Sequence, residues 1–533
     1  MNNDCQRISY EQTGYFSKQV IDYLHGDKWL KQFYAFTPNK DGIVSAIEER
    51  SKIKVDRTLL VEVLLNQMQQ VGIEPTALQS QHLAQLKKEN TFTITTAHQP
   101  NLFTGPLYVV YKIFHAIALA AELSKDLPNY NFVPVYYMGS EDADLDELGN
   151  WTIQGHARIW NTQQTGAVGR MLVDDLLLKE IASMKGQLAV LEHGQQLIDI
   201  FIDSYQKGRT IQDATLVLMH HLFSSYGLLV LIPDDARLKQ TFVPVVLREL
   251  QEQFSSSALQ PTIDTLSSRY KVQVTGRPIN LFYLHEQVRE RIEFNGTTYT
   301  AVDTGKTWSA SEIAEELKNN PERFSPNVIL RGLYQETILP NIVFIGGGAE
   351  LSYWMELKQV FATAHVFYPM LVLRNSFLCM EEKDVQLQHA IGLSNEMLFT
   401  SAHQQELWWV ENNTNRNWKV EEFDQEMQNL FSQLREKIGE LDPTLAKHVA
   451  ALAQQSANKM HQLSKKVLRS EKRSMSDSLQ KLAALRARLF PGQSLQERKE
   501  NASYFLAKYG LDWMKQIHSS SLGLEQEFTI VQL

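Results

Sequence analysis

The stretch Thr93–Tyr108 leaves this chain few choices of fold. Phe92, Ile94 and Thr96 alternate as in a strand, and Pro100, Asn101 and Gly105-Pro106 then break the run. From Leu107 the apolar residues fall at helical intervals: Val110, Ile113, Phe114, Ile117, Ala118 and Ala121. Strand, polar loop and helix in that order open an α/β sheet, and such sheets gather ligands at the carboxyl ends of their strands. His98, Gln99, Asn101, Thr104 and Gly105 therefore stand where a site is expected. The same residues also suit a plain turn, with Thr104 capping the helix and Pro106 in its first turn.

Four further strands repeat the pattern. Phe132–Met138 runs into the acidic Glu141-Asp142-Ala143-Asp144-Leu145-Asp146-Glu147, and Gly227–Ile232 ends in Pro233-Asp234-Asp235. Asn341–Ile345 ends in Gly346-Gly347-Gly348-Ala349-Glu350 before a helix from about Leu351 to Phe361, and Pro369–Leu373 ends in Arg374-Asn375-Ser376. Continuous apolar strands with polar ends, alternating with helices, predict a parallel sheet covered on both faces. Residues 150–215 and about 255–325 are too long for simple crossovers and read as two insertions. The second carries Ile279–His285 and Ile292–Ala301 with the hairpin signal Asn295-Gly296. Residues 1–90 read as helical.

Beyond the last strand the pattern changes. Val420, Phe423, Met427, Leu430, Leu434, Ile438, Leu441, Leu445 and Val449 step by three and four, and Met460, Leu463 and Val467 resume the spacing. This predicts an antiparallel helical hairpin or coiled coil. The expected organisation is an α/β core over 1–384, a helical domain over 385–510, and a tail over 511–533 that packs back on the core.

Composition sets the outer limits. A chain of 533 residues predicts two to four structural units, and its net charge of −9 argues against a nucleic-acid partner. Two cysteines, Cys5 and Cys379, are too few for a disulfide framework or a thiolate metal site, so no metal centre and a cytoplasmic setting are expected. The opening Met1-Asn2-Asn3-Asp4 has neither a basic nor an apolar character, and no apolar run of bilayer length is expected, so no membrane association is predicted.

Several strand ends offer chemistry. Carboxylates at Glu141, Asp142 and Asp144 suit an amine, a proton or Mg²⁺, or simply complement a helix dipole. Gly346-Gly347-Gly348 lets backbone N–H groups approach an anion. Arg374 suits a carboxylate or phosphate, and Arg331 with Gln335 and Glu336 forms a further polar segment. Other patterns fail. Asp303-Thr304-Gly305-Lys306-Thr307 has Thr300 where a phosphate loop needs its first glycine, and His285-Glu286 has Arg289 where a zinc-protease helix needs its second histidine. His220-His221 lies on an apolar helix and reads as packing.

Taken together, these segments resemble the cysteine-adding enzyme family of bacillithiol biosynthesis. The likeness rests on Leu102-Phe103-Thr104-Gly105-Pro106-Leu107-Tyr108, Val133-Pro134-Val135 with Ser140-Glu141-Asp142, and Tyr334–Asn341. It continues through Ile345–Glu350 with Tyr353-Trp354, Arg374-Asn375-Ser376, Leu495-Gln496-Glu497-Arg498 and Tyr509-Gly510. The resemblance implies a Rossmann-like core with two connecting insertions, a C-terminal coiled coil that makes a homodimer, and a ligase that adds cysteine to glucosaminyl-malate. Ala97 stands where the family shows Gly, and Ala143 where it shows His, so the acidic loop lacks its imidazole.

Forming an amide from a free carboxylate needs activation, so ATP or another adenine nucleotide is expected, with Mg²⁺ possible. The expected catalytic residues are Glu141, Asp142, Asp144 and Gln99. The expected substrate-binding residues are His98, Asn101, Thr104, Gly105, Gln335, Glu336, Gly346, Gly347, Gly348, Glu350 and Arg374. Two other readings stay open: a nucleotidylyltransferase-like enzyme, and a coiled-coil scaffold built on a degenerate nucleotide fold.

Overall fold

The computed structural model describes residues 5–413 and 420–533; the opening 1–4 and the segment 414–419 of the expected helical domain lie outside the described residues. The chain divides into two compact units: Met1–Met380 with Phe490–Leu533, and Glu381–Leu489 between them.

The first unit is built on one sheet. In chain order its relevant elements are β1 (Thr91–His98), α1 (Leu107–Asp126), β2 (Asn131–Met138), β3 (Leu229–Leu231), α2 (Ala236–Glu252), α3 (Val328–Ile338), β4 (Asn341–Gly346), α4 (Gly348–Ala364) and β5 (Met370–Leu373). The order across the sheet is β3-β2-β1-β4-β5, and every neighbouring pair is parallel. The five expected strands are thus in one Rossmann-like sheet. The chain winds outward from β1 to β3, then returns to place β4 on the other side of β1. This reversal opens a crevice at the carboxyl ends of β1 and β4, the usual place for a ligand in such sheets. Thr96 fixes the register there, its hydroxyl donating to the Ile345 carbonyl at 2.9 Å.

α1 corrects one expectation. It is 20 residues long, enough by length and composition to cross a bilayer. Yet most of it is buried inside the fold, where Ile113, Phe114, Ile117 and Leu119 pack against the sheet and its neighbours. Lys112 and His115 interrupt the apolar run and hide its length in the sequence. Thr104 does not cap this helix. Pro106 holds the cap position, and the Leu107 N–H instead donates to the Glu500 carbonyl at 2.8 Å.

The first insertion is a short hairpin, Asn150–Ile153 with His156–Ile159, followed by helices over Asp175–Leu188, Gly194–Ser204 and Ile211–Phe223. The second forms a five-stranded antiparallel sheet that includes Leu281–His285, Val288–Phe294, Tyr299–Ala301 and Phe324–Pro326. Its expected hairpin turns at Asn295-Gly296, where Gly296 has φ +98° and Asn295 Oδ1 accepts from the Thr297 and Thr298 N–H groups.

Residues 490–510 belong to the first unit, not to the helical domain as the expected boundary had it. Gln496 and Glu497 are buried there, bonded to the Cys379 and Phe377 backbones. The strand Phe528–Gln532 then pairs antiparallel with Cys5–Ile8 and parallel with Ser376–Met380.

The second unit contains α5 (Val420–Leu441) and α6 (Pro443–Ser474), joined at Asp442, whose carboxylate caps α6 by accepting the Thr444 N–H at 2.7 Å. The apolar spacing runs straight through this joint, but Pro443 can only start a helix there. Phe423, Leu430, Leu441 and Leu463 remain exposed on these helices. The ends of the unit are clasped by Arg488, which donates to Asp384 at 2.6 and 2.7 Å.

Candidate active site

A cavity of about 600 Å³ opens at the crevice, lined by the ends of all five strands. β1 contributes Ala97, His98 and Gln99; the loop after β2 contributes Gly139–Asp142; Pro233 follows β3; Gly347–Glu350 follow β4; and Arg374 follows β5. Arg331 and Tyr353 come from α3 and α4, Arg289 and Phe282 from the inserted sheet, and Arg498 from the returning segment.

The acidic loop splits into three environments. Glu141 is buried, and its carboxylate accepts from the Lys239 ammonium on α2, which also donates to the Phe324 carbonyl of the inserted sheet at 2.7 Å. Burial pushes the Glu141 carboxyl up, and Lys239 opposes that rise. Asp142 is more open, its side chain 37% exposed, and is oriented by Gln99, whose Nε2–H donates to Oδ2 at 3.0 Å. Asp144 leaves the cavity altogether. It is exposed and caps a short helix by accepting the Glu147 N–H at 3.0 Å. An acid complementing the helix dipole is all that its position requires.

The glycine turn is already filled. The Gly347 N–H donates to Glu350 Oε2 at 2.7 Å, and the Lys112 ammonium donates to the same oxygen at 2.5 Å. An internal carboxylate therefore sits where an anion was expected. Gly346 ends β4 inside the core, where an added Cβ would come within 2.9 Å of Phe344 and 3.0 Å of Glu350. Lys112 is also held by the Ala97 carbonyl at 2.7 Å, and burial lowers its pKa despite Glu350.

His98 lines the cavity, and its Nε2 lies 3.4 Å from the Tyr108 hydroxyl. Burial, together with the charges of Lys112, Arg374 and Arg331, holds its pKa well below the ordinary histidine value, so the imidazole is neutral near pH 7. Arg374 is buried over the Tyr108 ring and donates to Glu497 at 2.7 Å and to the Asn375 carbonyl and Ser376 hydroxyl at 3.0 Å. Burial alone would lower its pKa; the Glu497 carboxylate reverses that and raises it.

Six expected ligand residues lie outside the cavity lining: Gly346, which ends β4, and Asn101, Thr104, Gly105, Gln335 and Glu336. Asn101 is buried beside His98, and Thr104 is buried with φ +78°. Gly105 sits at φ +67°, where a Cβ would meet Asn101 at 2.6 Å, and its carbonyl accepts from Asn501 at 2.9 Å. This loop serves packing: it drives Phe103 among Trp151, Phe201 and Tyr205, at ring separations of 4.8 to 5.0 Å. Glu336 is fully buried on α3, where its carboxylate accepts from Gln335 and Asn341 at 2.8 Å, and burial pushes its pKa up to about 7. Gln335 is buried too, but acts on the site indirectly by accepting from Arg331 at 3.3 Å; Arg331 in turn donates to the Tyr353 hydroxyl at 2.7 Å.

Sequence reasoning missed Lys112, Lys239 and Arg289. The lysines sit on amphipathic helices, where nothing in the local pattern marks them as inward-facing. Arg289 was visible only as the residue that spoils a zinc motif.

Comparison with known proteins agrees with this architecture. Residues 3–375 match the family model described as "Bacillithiol biosynthesis BshC, N-terminal Rossmann-like domain", and residues 377–533 match "Bacillithiol biosynthesis BshC, C-terminal coiled-coil domain". Among relatives named "Putative cysteine ligase BshC", one from Flavobacterium johnsoniae is 38% identical and one from Flavobacterium psychrophilum 36% identical, each aligned over 100% of both chains. One from Christiangramia forsetii is 34% identical over 100% of this chain and 99% of its own.

Proposed function

The chain belongs to the bacillithiol biosynthesis BshC family, and from that premise we propose that it joins the carboxyl of cysteine to the amine of glucosaminyl-malate, the last step of bacillithiol biosynthesis. The observation that carries this reading is the pairing of one oriented, accessible carboxylate with arginines in a single cavity: Gln99-bound Asp142 faces the space that Arg289, Arg331 and Arg374 also line.

Amide formation here requires the amine to lose a proton and the attacked carbonyl to carry negative charge. Asp142 takes the proton from the ammonium, and Gln99 holds its carboxylate in place. Glu141, engaged by Lys239, positions the loop and leaves base work to its neighbour. The neutral His98 accepts or donates hydrogen bonds without adding charge. As the amine nitrogen bonds to the cysteine carbonyl carbon, the bond from that carbon to its leaving oxygen breaks, and the arginines balance the negative charge.

ATP or another adenine nucleotide, with Mg²⁺, would supply the leaving group for the cysteine carboxyl. The Glu350-filled glycine turn does not suit its phosphates, so the arginines are the groups that fit them. We further propose that the exposed apolar residues of α5 and α6 meet a second copy of the chain.

The test is purified protein incubated with cysteine, glucosaminyl-malate and ATP, followed by thiol mass spectrometry. Cysteine-dependent consumption of glucosaminyl-malate with formation of bacillithiol is expected. Transfer of a nucleotidyl group to another acceptor, or no turnover under any nucleotide, would overturn the reading.

A further inference from the structure

Four arginines line the cavity; Arg498 is exposed, and the other three, less open to solvent, differ in how well their charge is met. Arg374 is bonded to Glu497, and Arg331 to Tyr353 and Gln335. Arg289 is not matched in this way. Its side chain is 12% exposed, its guanidinium carbon sits over the Phe282 ring, 3.9 Å from the centroid, and its Nε donates to the Ser325 hydroxyl at 3.4 Å. Its one ion pair among the described residues is a loose approach to Asp142 Oδ1, at 3.9 Å. Burial lowers its pKa, whereas those of Arg331 and Arg374 are raised. A planar guanidinium over an aromatic ring, with its terminal N–H groups beside a polar cavity, is shaped for two parallel hydrogen bonds to an oxyanion.

We infer that Arg289, carried in by the inserted sheet, is the residue that docks a substrate oxyanion in this cavity, and that the incoming oxyanion takes the guanidinium away from Asp142. The inference deepens the ligase reading and rests on it for the identity of the ligand. The shared chemistry is a carboxylate or phosphate group, supplied either by the malate moiety or by the nucleotide. In both cases the second insertion is a wall of the binding site, because its strand Val288–Phe294 sets the position of Arg289. Displacement also releases Asp142, so docking the anion would free the carboxylate that takes the proton.

Isothermal titration calorimetry on the full chain tests this, with malate alone and ADP alone as probes. Wild type, R289Q, R289K and D142N are compared, and each fold is checked by melting temperature. At least one probe is expected to bind the wild type and to weaken by roughly 10- to 100-fold in R289Q, the range for losing hydrogen bonds to a charged group. R289K should fall between them, because an ammonium keeps the charge and loses the fork. D142N should tighten the same probe by about two- to fivefold, since a competing partner has gone. The probe that responds identifies the source of the oxyanion.

Equal affinity in R289Q and wild type would overturn the inference, as would failure of both probes to bind the wild type. Should R289Q unfold, D142N decides: tightened binding supports the proposal and unchanged binding refutes it. Failure of the ligase reading would show separately, as Arg289-dependent binding with no cysteine-dependent turnover.

Discussion

Glu497→Gln isolates what holds Arg374 at the floor of the cavity. The wild-type carboxylate is fully buried, takes the Arg374 N–H at 2.7 Å and accepts the Phe377 backbone N–H at 3.3 Å. Glutamine preserves volume and one acceptor but removes the charge, leaving a buried guanidinium without its counter-ion. At an effective dielectric of about 20 and about 4 Å, one such pair is worth about 4 kcal/mol, and removing one partner of a buried pair typically costs about 3–5 kcal/mol. With about 2 °C per kcal/mol for a large domain, the melting temperature should fall by roughly 6–10 °C. Thermal unfolding followed by circular dichroism measures this. The double variant R374M/E497L separates structure from charge: it should recover much of the lost stability, because an apolar pair leaves no unmatched ion. A melting temperature for Glu497→Gln equal to that of the wild type would refute the reasoning.

Three other perturbations test different parts of the molecule. Asp142→Asn should lower turnover by roughly 10²–10⁴-fold with little change in melting temperature, read on one preparation. The Glu336 carboxyl, raised by burial from 4.5 to about 7, favours the fold below pH 4.5, and that contribution is lost as pH rises through 7. Urea unfolding at pH 5 and pH 8 should therefore show wild type losing on the order of 3 kcal/mol relative to Glu336→Gln, which cannot ionise. Replacing exposed Leu430 and Leu463 by Lys should shift sedimentation at micromolar concentration from dimer to monomer; a wild type that already sediments as a monomer would count against the proposed contact.

The sheet was legible because its strands are buried on both faces and so read as unbroken apolar runs with polar ends. Their C-terminal residues, His98, Gln99, Glu141, Asp142, Gly347 and Arg374, needed only the topology to bring them together. What failed was telling an inward polar residue from a site residue. Thr104 and Gly105 look like ligands in sequence, yet their left-handed backbone exists to seat Phe103 among aromatic rings. Gln335 and Glu336 lie on the inward face of α3, and only the packed fold shows that the carboxylate meets Asn341 and not the cavity. Arg289 and Lys239 are distant in sequence from every strand end they serve, so no local pattern marks them.

The position of the helical unit within the chain bears on how the site assembles. Arg374 and Glu497 are 123 residues apart, and the whole of Glu381–Leu489 lies between them. Closing so long a loop before its interior is ordered carries an entropic penalty. Formed first, the Asp384–Arg488 clasp would shorten the loop to the tethers from 374 to 384 and from 488 to 497. Going from 123 residues to about 20 is between two and three halvings, or roughly 1.6 kcal/mol of closure entropy removed. Weakening the clasp, as in Asp384→Asn, should therefore slow formation of the Arg374–Glu497 pair more than it alters that pair once formed, as read by stopped-flow refolding.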